Sequence, residues 1–333
     1  MKVLFIGGTG IISSACTQLA AARGLDLYLL NRGQSARPVP ENVHVLHGDL
    51  RNPASLNAAL EDHSFDVVVN WIAFTPDQIE ADLATFRGRT RQYVFISSAS
   101  AYQTPPVTLP VVESTPLHNP FWQYSRNKIA CEDRLIRAMR EEHFPVTIVR
   151  PSHTYDQTLL PMDGGYTVVH RMRQGKRVIV HGDGSSLWTL THHQDFAVGF
   201  VGLLGNPHAI GEVFHITSDE LLTWNQIFDT VAQAAQTQAD IVHLPSDLIA
   251  TYESDWGAGL LGDKAHSMIF DNTKIKRVVP EYRATIPFFR GAEEIMAWYD
   301  ADPARQVVDH ALDARMDAMI ADVDRLRAAR ING

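Results

Sequence analysis

Along the first half of the chain, short continuous apolar runs alternate with longer stretches whose apolar positions recur at helical spacing. The runs at 2–6, 25–30, 43–47, 65–70, 92–96 and 145–149 read as buried strands. Between them, 14–23, 53–60 and 78–86 read as helices, and another carries Tyr124 and Lys128, continued by Ile129, Ala130, Leu135, Ile136 and Met139. Strands and helices in this order predict an α/β architecture, a parallel sheet covered on both faces. The expectation is a Rossmann-type, doubly wound core over residues 1–150.

Beyond Pro151 the alternation becomes irregular, which predicts a smaller, mainly C-terminal substrate domain over 151–333 with some segments returning to the core. There, 164–173, 195–204, 291–299 and 309–330 read as helical, as does a helix capped by Thr223 and reaching Ala235. Residues 177–181, 186–192 and 212–216 read as strands, with a turn at Gly182-Asp183-Gly184. Leu312, Met316, Met319, Val323 and Leu326 form one stripe of the last helix and read as packing.

Three stretches carry candidate chemistry. Lys2-Val3-Leu4-Phe5-Ile6 runs into Gly7-Gly8-Thr9-Gly10-Ile11-Ile12-Ser13, a strand, glycine turn and helix start suited to a pyrophosphate. Val94-Phe95-Ile96 ends in the hydroxyl cluster Ser97-Ser98-Ala99-Ser100, where an open parallel sheet places ligand groups. Tyr124 and Lys128, four apart on one helix face, put a phenol beside an ammonium, which predicts a lowered tyrosine pKa.

With His47-Gly48-Asp49-Leu50-Arg51, Glu113-Ser114-Thr115-Pro116-Leu117 and Arg150-Pro151-Ser152-His153-Thr154-Tyr155, these pieces make the chain resemble the extended short-chain dehydrogenases/reductases, the NAD-dependent epimerase/dehydratase type, over nearly its whole length. The resemblance implies Tyr124, Lys128 and Ser98 as catalytic residues, Ser98 rather than Ser97 giving the hydrogen bond to the reacting oxygen. It implies NAD or NADP held by Gly7, Thr9, Gly10, Ile11, Ile12, Asn31, Arg32, Asp49, Leu50, Ile72, Ala73, Ser97, Tyr124, Lys128 and Pro151. Asn31-Arg32-Gly33 lacks an acidic residue for the ribose, and Arg32 with Arg37 nearby tilts the choice toward NADP.

The 4,6-dehydratases of this family carry an Asp and a Glu after the catalytic hydroxyl residue. Here Ala99 and Ser100 stand there, so epimerisation or ketone/alcohol interconversion is expected rather than elimination. Arginines that hold the diphosphate in UDP-sugar enzymes align with Trp188 and Leu260, which argues against a standard UDP-sugar; Lys264, Arg171 or Arg173 remain possible substitutes. Trp188, with Trp122, Tyr252 and Trp256, is a candidate flat wall for a sugar ring, and His153 a candidate substrate ligand or second acid/base. Residues 103–120, with five prolines, are expected to wall the substrate cleft.

Charge and composition bound the rest. With 45% hydrophobic and 20% charged residues the chain is that of an ordinary globular protein, and a net charge of −9 runs against a nucleic-acid surface. No apolar run approaches a membrane span and no leader pattern precedes the first strand, so a cytoplasmic location is expected. Neither Cys16 and Cys131 nor the 15 histidines show metal-ligand spacing, so no metal is predicted; His192 and His193 would face opposite ways on a strand. The resemblance implies a small-molecule substrate and a homodimer through the helices near 78–87 and 124–139, with which Leu83, Ala84 and Ala130 are consistent. Two alternatives stay open: an NADP-dependent ketoreductase releasing its cofactor each cycle, and a non-catalytic dinucleotide sensor or RNA-associated protein.

Overall fold

The computed structural model describes residues 1–48, 53–60 and 63–331. Strands β1 (Lys2–Ile6), β2 (Asp26–Asn31), β3 (His44–His47), β4 (Val67–Asn70), β5 (Gln92–Ile96) and β6 (Val146–Pro151) alternate with helices α1 (Ile11–Ala22), α2 (Pro53–Leu60), α3 (Pro76–Phe86) and α4 (Gln123–Glu142). Next come β7 (His153–Tyr155), α5 (Tyr166–Arg173), β8 (Val178–His181), β9 (Leu187–Trp188), β10 (Leu190–His192), α6 (His193–Val201) and β11 (Val213–Ile216). The chain closes with β12 (Leu222–Thr223), α7 (Trp224–Ala234), β13 (Ile241–Leu244), α8 (Ser246–Tyr252), α9 (Ser254–Gly259), α10 (Thr273–Val278), α11 (Phe288–Asp300) and α12 (His310–Ile331).

One seven-stranded sheet runs β11-β6-β5-β4-β1-β2-β3, every neighbouring pair parallel. Strand β1 lies between β2 and β4, so the order reverses there, and the glycine turn leaves the carboxyl end of β1 at this switch point. The sheet's middle strands are nearly continuous apolar runs because both faces are covered, with Val3, Phe5, Val67, Val69 and Val94 in one cluster and Leu4, Ile6, Val68, Tyr93 and Phe95 in the other. A third cluster, built on α5, α7, α11 and α12, forms the core of the C-terminal region.

Several expectations shift in detail. Residues 186–192 are two short strands rather than one: β9 pairs with β12 and β10 with β7, so the chain changes partner at Thr189. His192 ends β10 and His193 opens α6, which brings the two rings to 4.5 Å instead of opposite faces. The apolar stripe of α12 buries Met316 and Met319, while Leu326 remains exposed. Leu83 is buried within the subunit, where α3 packs on α4, so it is no candidate for a surface between subunits.

The glycine turn is where backbone conformation is most constrained. Gly8 has φ +95°, and a Cβ there would lie 2.6 Å from Leu29 Cδ2. Gly8→Ala is expected to cost about 1–3 kcal/mol, from left-handed backbone strain and displacement of Leu29. A urea unfolding midpoint equal to that of the parent would contradict this.

Candidate active site

The site grows from three elements that end at the same edge of the sheet. Strand β1 delivers the glycine turn, β5 the serine cluster, and the first turn of α4 delivers Tyr124. A groove of about 490 Å³ follows the first of these, lined by Gly7, Thr9, Leu30, Asn31, Arg32, Gln34, Ser35, Gly48, Ile72, Phe74 and Gln78. At Gly7, φ is +102° and a Cβ would meet Trp71 Cβ at 3.2 Å and Ile72 Cγ2 at 3.3 Å. A bare backbone at the groove floor, beside the N-terminus of α1, is the arrangement a dinucleotide pyrophosphate needs.

Of the predicted cofactor residues, Gly7, Thr9, Asn31, Arg32 and Ile72 line this groove, and Ile11, Tyr124 and Pro151 line the adjoining cleft. Gly10 caps α1 and gives its N–H to Ser13 Oγ at 2.7 Å, so the serine in the third glycine position is absorbed by the turn. Ile12 packs on the core below, and Ala73 is buried with its carbonyl on Lys128. Asp49 and Leu50 lie outside the described residues. Leu30, Gln34, Ser35, Phe74 and Gln78 were not marked by any motif; only the β2 and β4 termini leading into the groove hinted at them.

Arg37, noted in the sequence as lying near Arg32, is engaged elsewhere. Its guanidinium donates to the buried Asp156 carboxylate, to Thr158 Oγ1 at 2.8 Å and to Ser14 Oγ at 3.3 Å. It therefore ties the loop after β2 to the segment after β7, and leaves Arg32 as the cation lining the groove among the described residues.

The adjoining cleft, about 310 Å³, is lined by Ser98, Ala99, Ser100, Trp122, Tyr124, Ser152, His153, Thr154, Leu159 and Asp263, besides Ile11 and Pro151. The turn after β1 serves both cavities, Thr9 facing the groove and Ile11 the cleft. Within the cleft the hydroxyl of Ser98 lies near enough to the Tyr124 phenol to lower its pKa. Ser98 Oγ lies 2.9 Å from Ser100 Oγ, which accepts from the buried Ser125 Oγ at 2.7 Å. Ser97 is not equivalent: its hydroxyl donates to the buried Glu132 at 2.5 Å, so only its main chain is left for a ligand.

The electrostatics differ from the sequence expectation at Tyr124. Burial raises its pKa, the Asp263 carboxylate raises it further, and the Ser98 hydroxyl opposes them. Lys128 does not depress it: its ammonium lies 5.8 Å from the tyrosine ring and donates to Ala73 O at 2.7 Å and Ile96 O at 2.8 Å. Burial brings the lysine itself down to about 8. In this state Tyr124 is a phenol, equipped to donate a proton.

Other substrate candidates separate cleanly. His153 lines the cleft, but burial, then the charge of Lys264, lowers its pKa to about 3, so it is a neutral imidazole and not an acid. Trp188 is 1% exposed and packs at 5.8 Å on Trp224, away from the cleft. Tyr252 and Trp256 pack against the C-terminal core, which leaves Trp122 as the aromatic side chain of the predicted wall that does line it. Arg171 bonds Asp313 and Asp317, Arg173 bonds Asp300, and Lys264 faces Asp163 at 3.5 Å. None of the three replaces the missing diphosphate arginines.

The wall expected from 103–120 comes instead from Trp122 and from a π-helical turn, Leu260–Lys264, that continues α9. Buried Asn119 ties the two together, donating to Ser100 O at 2.8 Å and Gly262 O at 2.6 Å and accepting from Trp122 N at 3.1 Å. Asp263, on that turn, is the cleft residue sequence reasoning passed over; only its place beside Gly262 marked it. Burial raises its pKa to about 7, with Asp163 adding to the rise and Lys264 opposing it.

This makes a stability prediction with a definite sign. The folded pKa of about 7 exceeds the unfolded 3.8, so the fold favours the protonated carboxyl. The penalty is absent below the unfolded value, grows as pH rises between the two, and is complete above the folded value. Asp263→Asn is therefore expected to raise the melting temperature at pH ~8 and leave it unchanged at pH ~4. Equal shifts at both would contradict the assignment.

Comparison with known proteins agrees with this geometry. The NAD dependent epimerase/dehydratase family model matches residues 3–217. The chain is 24% identical over 289 residues to 2'-dehydrokanamycin reductase of Streptomyces kanamyceticus, covering 85% of this chain and 80% of that protein. It is 25% identical over 257 residues to the chloroplast stem-loop binding protein of 41 kDa b of Arabidopsis thaliana, covering 73% of this chain and 65% of the relative. Among solved structures, the epimerase Mth375 of Methanothermobacter thermautotrophicus superposes with a TM-score of 0.74 at 18% identity, over 91% of this chain and 93% of the other, a likeness of fold. The chain belongs to the NAD dependent epimerase/dehydratase family and is an NAD(P)-dependent enzyme of the extended short-chain dehydrogenase/reductase type.

Proposed function

We propose that this enzyme interconverts a secondary alcohol and a ketone on a sugar-like substrate, as an epimerase or as a simple oxidoreductase. The observation that carries the reading is the meeting of Tyr124 and Ser98 in one cleft that adjoins the glycine-turn groove. When bound, the nicotinamide supplies or takes up a hydride. Tyr124, a phenol in this environment, gives its proton to the substrate oxygen in the reductive direction and takes it back in the oxidative one. Ser98 donates a hydrogen bond to the same oxygen, its own position held by Ser100. Lys128, anchored on two carbonyls, has a third N–H left for the cofactor ribose.

Arg32 in the groove favours NADP, and the name of the 2'-dehydrokanamycin relative favours a reductase with a dissociable cofactor. Purified protein, denatured after isolation without added cofactor, tests this by mass spectrometry of whatever dinucleotide it releases. Retained oxidised NAD supports internal recycling and epimerisation. Protein that emerges empty and binds NADP more tightly than NAD supports the ketoreductase.

The likeness to a stem-loop binding protein raises an RNA-associated role, against which the net charge of −9 weighs. No mobility shift with a stem-loop RNA at physiological salt is expected. A salt-resistant shift would overturn that expectation. Among the described residues no helix is long and apolar enough to cross a membrane. Assembly as a homodimer through α3 and α4 would use the exposed Ala84 and the half-buried Ala130.

A further inference from the structure

Two polar groups in the cleft lack protein partners. Nε2 of His153 is buried without a partner, and the half-buried Asp263 carboxylate, which lines the cleft, accepts no hydrogen bond among the described residues. Lys264, the cation next in sequence, is turned to Asp163. A buried polar atom left without a partner is costly unless something that binds there completes it, and the Asp263 carboxylate in the same cleft is free to take a donor.

Its placement is built by the fold. The π-helical turn that carries Asp263 is pinned through Gly262 to Asn119, which in turn holds the serine loop and the start of α4. A Cβ on Gly262 would lie 2.7 Å from Trp122 Cβ, so the turn sits hard against the residue that precedes the tyrosine helix. Single π-helical turns of this kind often mark functional positions.

The charge of the cleft narrows what can complete the pair. Among the described residues no lysine or arginine lines it, and His153 is neutral. Arg37, Arg171, Arg173 and Lys264 are all paired with carboxylates elsewhere. The cation whose charge reaches the cleft, Lys264, is already held by Asp163, and Asp263 would oppose an entering diphosphate. A hydroxyl would give Asp263 one hydrogen bond, whereas an ammonium supplies a charge-assisted bond and neutralisation. The Trp122 ring, 4.9 Å from that of Tyr124, adds an aromatic face suited to a cation.

We propose that the substrate is an amine-bearing polyol without a nucleotide diphosphate, and that Asp263 receives its ammonium. This rests on the reading of the cleft as the substrate site of the redox reaction. His153 Nε2 then hydrogen-bonds a neighbouring hydroxyl, and Trp122 covers the ring beside the amine. Asp263 is a specificity residue in this account, separate from the proton exchange at Tyr124.

The test is binding, read apart from turnover. Full-length protein loaded with NADP is titrated with D-glucosamine, D-glucose and UDP-glucose by saturation-transfer NMR, for wild type and Asp263→Asn. Glucosamine is expected to bind roughly tenfold more tightly than glucose to wild type, with the preference lost in Asp263→Asn and UDP-glucose failing to compete. Equal or undetectable binding of the two monosaccharides, a preference that survives Asp263→Asn, or tighter binding of UDP-glucose would each overturn the proposal. Cofactor binding and the Tyr124→Phe turnover comparison are measured on the same preparations. Failure of the amine preference with those intact leaves the redox reading standing, while failure of those removes its basis.

Discussion

Tyr124→Phe is expected to lower turnover by ~10²–10⁴-fold while dinucleotide affinity stays at the wild-type level. The phenol lines the cleft together with Ser98, whereas the groove that would take the adenosine half is lined by other residues. Removing one oxygen takes away the proton donor and leaves the aromatic packing against Trp122 and Phe74 in place. The raised tyrosine pKa adds a direction: reduction of a ketone should persist toward neutral pH, and oxidation should gain as pH rises and the phenol ionises. Cofactor titration by fluorescence beside steady-state turnover separates the two effects. Turnover unchanged in the variant would remove Tyr124 from the chemistry, and loss of both would make its role structural.

The second large effect concerns stability. Glu132 lies one helical turn beyond Lys128 on α4, fully buried, and accepts from Arg150 Nε at 2.9 Å, Arg150 Nη2 at 2.5 Å and Ser97 Oγ at 2.5 Å. Arg150 also donates to Glu113 O at 3.1 Å and stacks 4.6 Å from the Tyr102 ring. This ion pair sits behind the serine cluster and joins α4 to the ends of β5 and β6. Glu132→Ala strands a buried guanidinium and should destabilise the fold by about 3–5 kcal/mol. Replacing both partners with methionine should recover part of that loss, because the penalty comes from the uncompensated charge. Urea midpoints for the single and double variants check this; a single variant within experimental error of wild type would contradict it.

Both residues show what the sequence could and could not convey. The parallel sheet was legible because each strand is an apolar run bounded by turn residues and because the strands alternate with helices. The glycine turn, the serine cluster and the Tyr124/Lys128 helix were legible for a similar reason: local spacing fixes which face each side chain takes. Electrostatic character was less accessible. The predicted cation beside Tyr124 is instead spent on the carbonyls of Ala73 and Ile96, a contact between distant segments. Burial, not proximity in sequence, then decides the direction of the tyrosine shift.

The substrate side was harder still, because it is assembled from segments far apart in the chain. Trp188 reads as a sugar-facing aromatic but belongs to the C-terminal core, and Arg37, near Arg32 in the sequence, bonds Asp156. Asp263 carries no motif of its own. It reaches the cleft through a π-helical turn and a buried asparagine, neither of which has a sequence period to announce it.

Isotope transfer tests the central claim most directly. Wild-type protein is supplied with NADPH deuterated at the transferable C4 position and offered a panel of keto sugars, with product analysed by mass spectrometry. Deuterium appearing at a carbinol carbon of the product, and lacking with Tyr124→Phe that still binds NADPH, is the result this account predicts. Equal label transfer by both proteins, or no transfer to any ketone by cofactor-loaded wild type, would contradict it.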